Sequence, residues 1–345
     1  MSRPSTAGVP PDNGRPGRVR AAGARAFSTR TAAVLQRQGA LVVLIAVCVL
    51  GVVRYGSFAT PENLLNVLRQ NSMLGLVALG MTVVILTGGI DLSVGSLVAV
   101  AGVVAAKVSG SGMIASLVAG VGVATALGLT NGVLIAKVRL PPFIVTLAMM
   151  IAARGAVLGA TAEASLRMNR TGSGITWLGR GVLAGLPVPV LIVACAYAAG
   201  WLALRYTRWG RSVYAVGDSQ DAARLLGLNV DRVLISTYAL SGALAGLAGV
   251  VLAARLGAGQ PVAGTGWELD AIAAVVVGGT LLTGGLGGVG STLVGILLLG
   301  VIFNLFNLQG TITPWWQWIM RGAFLLGVVV VQSRLQRGFG HGQPR

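Results

Sequence analysis

Between residues 40 and 333 the chain is a succession of apolar runs. Most are close to the roughly 20 residues that an α-helix needs to cross a bilayer. Hydrophobic residues make up 54% of the chain and charged residues only 10%, where a soluble globular protein carries about 25% charge. This patterning predicts an all-α polytopic membrane protein of about ten transmembrane helices. Ten spans would use roughly 200 residues, which leaves no room for a soluble catalytic domain.

The expected spans lie at about 40–58, 72–87, 93–109, 113–136, 143–160, 187–205, 233–254, 267–283, 289–307 and 316–333. Pro61–Asn71 reads as a separate interfacial helix, with Thr60 as N-cap and Pro61 at its first position. A polar loop covers 161–186, and a charged segment covers 205–232. The net charge is +17, with nine acids. The basic residues gather in the tails and at span ends, where the positive-inside bias puts them, so the charge does not argue for nucleic-acid binding. Residues 1–39 carry Arg3, Arg15, Arg18, Arg20, Arg25, Arg30 and Arg37 against Asp12 and read as a disordered basic tail.

That tail, Lys137 and Arg139, the 205–232 segment, and a second tail at 334–345 with Arg334, Arg337 and Arg345 all fall on one face if ten spans are counted. That face is expected to be cytoplasmic, with both termini inside and the protein in the inner or plasma membrane. The loop with Arg167, Arg170 and Arg180 is the exception. Cys48 and Cys195 sit inside apolar runs as packing residues. A single histidine, His341, excludes a His-based triad and a multi-His metal centre. No catalytic residues, metal site or cofactors are expected.

TGGIDLSVGSLV at 87–98 places Asp91 between two apolar runs. A carboxylate at membrane depth costs about 2.5–3.5 kcal/mol, and broken backbone is tolerated there only when buried in protein or lining a wet cavity. Asp91 and Ser93 can cap the start of span 3, or line a polar path near the ends of spans 2 and 3. TGGLGGVGSTLV at 283–294 echoes the motif without the acid, which suggests two repeated halves of the kind common in transporters. Candidate path residues are Asn71, Asp91, Ser93, Ser96, Asn131, Thr146, Glu268 and Asp270. Glu268 and Asp270 can alternatively cap span 8 at the outer face. Glycine pairs at 128/132, 155/159 and 242/246 suit close helix packing. GLGGVG at 285–290 lacks the βαβ setting of a dinucleotide site, and no GxxxxGK[ST] loop for ATP occurs.

Within 205–232, Ser219 can cap a short helix that begins near Gln220, with Asp221 in its first turn and Gly227 as its stop. A two-turn helix is marginal alone, and its Ala222, Ala223, Leu225 and Leu226 suit a partner groove. DAARLLG at 221–227 resembles the EAAxxxG loop of ABC-importer membrane subunits, with Asp221 in place of Glu and no clear Leu-Pro element after Gly227. LGMTVVILTGGIDLSVGS (79–96), LPPFIVTLAMM (140–150), GRSVYAVGDSQDAARLLGLNVDRV (210–233) and GTGWELDAIAAVVVGGT (264–280) resemble, in order, permease subunits of ribose-type sugar ABC importers.

The resemblance implies a permease domain over 40–333 that translocates a monosaccharide. Its implied partners are ABC ATPase subunits, an extracytoplasmic sugar-binding protein, a second permease copy in a homodimer, and membrane lipid. It also implies that Gly217, Asp218, Asp221, Ala222, Ala223, Arg224 and Gly227 couple the chain to the ATPase, which would hydrolyse ATP in its stead. Two other classes compete. One is an ion-coupled secondary transporter using Asp91 or Glu268; the other is a membrane scaffold without transport.

Overall fold

The computed structural model describes residues 39–169 and 174–310, and single positions between 313 and 330. The expected basic tails, Arg170 and much of the tenth expected span lie outside the described residues. Twelve helices are described. They are α1 (Gly39–Arg54), α2 (Pro61–Leu86), α3 (Val94–Val108), α4 (Met113–Lys137), α5 (Pro142–Thr161), α6 (Thr176–Arg180), α7 (Val188–Tyr206), α8 (Arg208–Asp218), α9 (Gln220–Leu225), α10 (Val230–Leu256), α11 (Trp267–Val277) and α12 (Val289–Gln309). Seven of them are long and apolar enough to cross a membrane: α2, α3 with its short extension to Ser111, α4, α5, α7, α10 and α12. The fold is therefore that of an all-α polytopic membrane protein.

The centre is α2, buried at every residue from Ser72 to Leu86. Around it pack α10, α12, α11 and α7, and α10 also packs on α3 and α4. Outward side chains of α4, α5 and α7, such as Ile114, Val118, Ile151 and Leu202, are apolar and exposed. That is the inversion expected where lipid is the solvent. The α4–α10 crossing is close because glycines line both sides. A Cβ on Gly128 would lie 3.0 Å from the Cα of Gly242, one on Gly132 would lie 2.8 Å from the Cα of Ile235, and one on Gly246 would lie 2.9 Å from the Cα of Val121. The third pair differs, since Gly155 and Gly159 face open space. Gly242→Ala is accordingly expected to cost about 1–3 kcal/mol by overpacking, read as earlier thermal inactivation of the purified protein. Gly155→Ala should leave it unchanged.

Two sequence expectations change. Pro61–Asn71 is not a separate interfacial helix but the first part of a continuous 26-residue α2. Thr60 does cap it, accepting from the Asn63 N–H at 3.4 Å. The polar stretch continues as helix, and Asn71 and Ser72 satisfy their side chains within it by donating to the carbonyls of Val67 and Leu68, at 2.7 Å each. The apolar run 267–283 is also not a full crossing. Its helix, α11, has 11 residues, or about 16 Å at 1.5 Å per residue, roughly half the ~30 Å hydrocarbon core.

The segment before α11 explains its length. Ala258–Gly259 pairs antiparallel with Leu166–Arg167. From there the chain runs along α3, with Gly259 against Gly102 and Val103 and Gly264 against Gly95 and Val98. It therefore re-enters the bundle through a run of turns at 261–266, closed by hydrogen bonds such as the one from the Ala263 N–H to the Gln260 carbonyl at 3.1 Å, and α11 starts beside the first turn of α3. Left-handed glycines at Gly264 (φ 69°) and Gly266 (φ 83°) make the turn into the helix.

Candidate functional site

The 87–93 segment is the second interruption. Asp91 is fully buried. One of its carboxylate oxygens, Oδ1, accepts from the Ser93 N–H (3.0 Å) and the Ser93 hydroxyl (2.6 Å). The other, Oδ2, accepts from the Ser241 hydroxyl of α10 at 2.8 Å. The Asn131 amide of α4 donates to the Ser93 hydroxyl at 3.0 Å, and Ser96 Oγ donates to the Ser93 carbonyl at 2.8 Å. Thr146 Oγ of α5 reaches the Ile90 carbonyl at 3.2 Å. Asp91, Ser93, Ser96, Asn131 and Thr146 thus form one cluster that ties a non-helical stretch to α4, α5 and α10. Backbone that leaves a helix away from water needs such partners.

The cluster is deeper than the end of span 2. Ser241 is 11 residues into the 27 of α10, about 16 Å along a helix of about 40 Å. Gly80 of α2 lies against Ser241, and Gly249 of α10 lies against Val98 and Ala101 of α3. Leu86 is six residues beyond Gly80, about 9 Å nearer the end that carries α8 and α9. Between Leu86 and Val94 the chain climbs from that level to the middle of the bundle before α3 begins. Asp91 therefore does not sit at the rim of spans 2 and 3, and it is not a free carboxylate facing a channel.

The remaining candidates lie elsewhere. Glu268 and Asp270 occupy the first turn of α11, where the helix dipole favours acids. Glu268 packs toward Gly95 at the start of α3. Since α11 begins inside the bundle, neither acid caps a full-length span at an outer face. Asn71 and Asp270 line a separate cavity between α2, α11 and α12.

Two contributors to this region were not singled out from sequence. Arg154 of α5 donates to the carbonyls of Pro261 and Ala263, at 2.7 and 2.8 Å, and so pins the re-entrant segment. A lone arginine inside an apolar run was the available signal. Ser241, 150 positions from Asp91, gave no such signal.

At the opposite end, Ser219 caps α9 by accepting from the Ala222 N–H at 3.2 Å, and Gly227 ends it in the left-handed conformation (φ 79°). Ala223 is buried against the bundle, while Leu225 is 90% and Leu226 79% exposed. Asp221, Ala222 and Arg224 are exposed as well. Arg224 and Lys137 both face Asp231, at 3.8 and 3.0 Å.

The charged stretch before α9 is itself helical, as α8. Its Trp209 indole donates to Ser236 at 2.8 Å, and its Tyr214 hydroxyl donates to the Gly287 carbonyl at 3.1 Å. At its last turn Gly217 meets both glycine motifs. A Cβ there would strike the Leu86 carbonyl and lie 2.6 Å from the Gly285 nitrogen. The Gly285 N–H donates to that same Leu86 carbonyl at 3.1 Å. The two TGG sequences, at 87–89 and 283–285, are thus in contact, and α8 abuts the place where they meet. Asp218, the next residue, lies beside Gly285.

Comparison with known proteins fits this architecture. Residues 63–329 match the family described as branched-chain amino acid transport system/permease component. The chain is similar to the ribose import permease protein RbsC of Escherichia coli (strain K12), 42% identical over 310 residues that cover 89% of this chain and 96% of the relative. RbsC of Bacillus subtilis (strain 168) is 40% identical, covering 87% and 94%. The xylose transport system permease protein XylH of Escherichia coli (strain K12) is 33% identical, covering 82% and 87%. No solved structure matches.

Proposed function

Because this chain belongs to the branched-chain amino acid transport system/permease component family, we propose that it is the membrane subunit of an ATP-driven importer of a monosaccharide. The family description names amino acids, whereas the relatives that cover most of the chain are named for ribose and xylose. A ribose-like pentose or related hexose is therefore the solute favoured here. The chain is a permease and not an enzyme; ATP hydrolysis belongs to a separate ATPase.

The observation that carries this reading is α9, a capped short helix with two leucines held out to solvent next to a rigid junction between α8 and the spans. Exposed leucines outside the spans are costly unless a partner covers them. An ATPase groove is the partner proposed, reached by Asp221, Ala222, Arg224, Leu225 and Leu226, with Ala223 and Gly227 shaping the helix and Gly217 and Asp218 joining it to the bundle. This puts α8 and α9 on the cytoplasmic side, together with both tails. The sugar-binding protein then docks on the opposite face, and a second copy of the chain completes the transmembrane core.

The two mid-bundle interruptions suit alternating access, because broken helices are where transporters place their solute path. Within the path, Asp91, Ser93, Ser96, Asn131 and Thr146 brace the broken segment, and Asn71, Glu268 and Asp270 stand nearest the solute. A cysteine introduced by Ala222→Cys, in a background lacking Cys48 and Cys195, should crosslink to the co-expressed ATPase. Failure to crosslink in an assembled complex would remove α9 as the docking helix.

A further inference from the structure

A cavity of 180 Å³ opens between the first half of α2, the start of α11 and the later turns of α12. Its wall is unusual for a bundle this apolar. Gln70 and Asn71 come from α2, Trp267 and Asp270 from α11, and Asn304 and Asn307 from α12. Amides inside membrane helices are expensive unless they serve a polar neighbour or solute. Here they share one wall, since Asn304 and Asn307 are three residues apart on one helical face. Some are also held in place. Asn304 exchanges two hydrogen bonds with Asn63, at 3.0 and 2.8 Å. Asn71 donates to the Val67 carbonyl at 2.7 Å, and its amide fits only because position 300 is glycine, where a Cβ would lie 2.6 Å from Asn71 Cγ.

The neighbouring 120 Å³ crevice, lined by Ala273, Leu299, Ile302 and Phe306 besides Asp270, is mostly apolar. The amides are therefore local to one cavity.

We propose that this cavity is a transient binding subsite for a single monosaccharide, with the Trp267 indole as platform and the amides of Gln70, Asn304 and Asn307 as hydroxyl partners. The inference rests on the permease reading above and adds where in the bundle the solute is held. A sugar ring offers apolar C–H faces and a rim of hydroxyls that both donate and accept. An aromatic side chain covers the first, and a primary amide, carrying a donor group and an acceptor, answers the second. One water needs about 10–15 Å³ of such volume, so 180 Å³ takes about a dozen atoms of that size. That is room for one pentose or hexose ring. Neutral amides hold the solute without a full charge, so it can leave as readily as it enters. Asp270, shared by both cavities, sits where the polar chamber meets the apolar one.

The test uses the full complex, permease with its ATPase and binding protein, in liposomes with D-ribose as the probe. The quantity read is sugar moved per ATP hydrolysed. Asn307→Leu and Trp267→Ala are each expected to lower it by about ten-fold or more, the loss of roughly 1.4 kcal/mol of binding in the path. Trp267→Phe should recover most of it, and Ile302→Ala, in the apolar crevice, should leave it unchanged. Asn307 is exposed, so its replacement decides the matter even if Trp267→Ala fails to assemble. An unchanged ratio in Asn307→Leu overturns the subsite. A wild-type complex that hydrolyses ATP yet moves no sugar overturns the permease reading instead, so the two failures are distinguishable.

Discussion

Gly217→Ala is expected to lower ATP-driven uptake by about ten-fold or more while the protein still inserts in the membrane. The added methyl has nowhere to go. It would strike the Leu86 carbonyl and press on the Gly285 nitrogen, splitting the hydrogen bond that joins the two glycine motifs. These neighbours are backbone, so they cannot swing aside as a side chain would. Overpacking of this kind costs about 1–3 kcal/mol, which a large bundle survives. What it does not survive is a shifted junction, because α8 carries α9 and is the rigid link from the exposed leucines to the interrupted helices. ATP hydrolysis and sugar uptake, measured together in the reconstituted complex, separate the two effects: uptake should fall further than hydrolysis. Uptake within about two-fold of wild type would show that motion reaches the spans by another route.

Asp91 gives the second large effect, and its two variants should diverge. Asp91→Leu removes the acceptor for the Ser93 N–H, the Ser93 hydroxyl and the Ser241 hydroxyl. Each buried polar group left without a partner costs about 1–3 kcal/mol, so a loss on the order of 3 kcal/mol or more is expected, read as a lower thermal midpoint and poor assembly. Asp91→Asn keeps an oxygen for Ser93, and its amide can donate to Ser241, whose hydroxyl then accepts. It should retain much of the transport. Complete loss of uptake in a well-folded, assembled Asp91→Asn complex would mean that the carboxylate itself touches the solute.

The sequence carried the span pattern and the α9 caps because both depend on neighbours in the chain. Ser219, Asp221 and Gly227 signal a short helix from within nine residues, and apolar runs set most span limits to within a few positions. α8 was hidden because arginines and small polar residues between two spans read as loop, and its packing through Trp209 and Tyr214 is tertiary. The half-length of α11 was hidden for the opposite reason: apolarity continues through residue 283, while the Gly278 cap and left-handed Gly279 end the helix early. Glycine pairs showed that close packing was available without showing which faces meet a neighbour, so 128/132 and 242/246 pack and 155/159 does not. The polar candidates were visible as polar residues in apolar runs. Their division into a bracing cluster around Asp91 and a chamber around Asn71 and Asp270 depends on contacts such as Asp91–Ser241 that no local pattern reports.

This permease is expected to move a sugar only when a partner ATPase drives it through α9, and that dependence sets the decisive measurement. It is tested most directly by D-ribose accumulation in liposomes holding the permease, its ATPase and its binding protein, with and without ATP inside and with Leu225→Asp and Leu226→Asp combined. The expected result is accumulation that requires ATP and is lost in the double variant together with ATPase attachment. Uptake that persists without the ATPase, or that an ion gradient alone sustains, would contradict it.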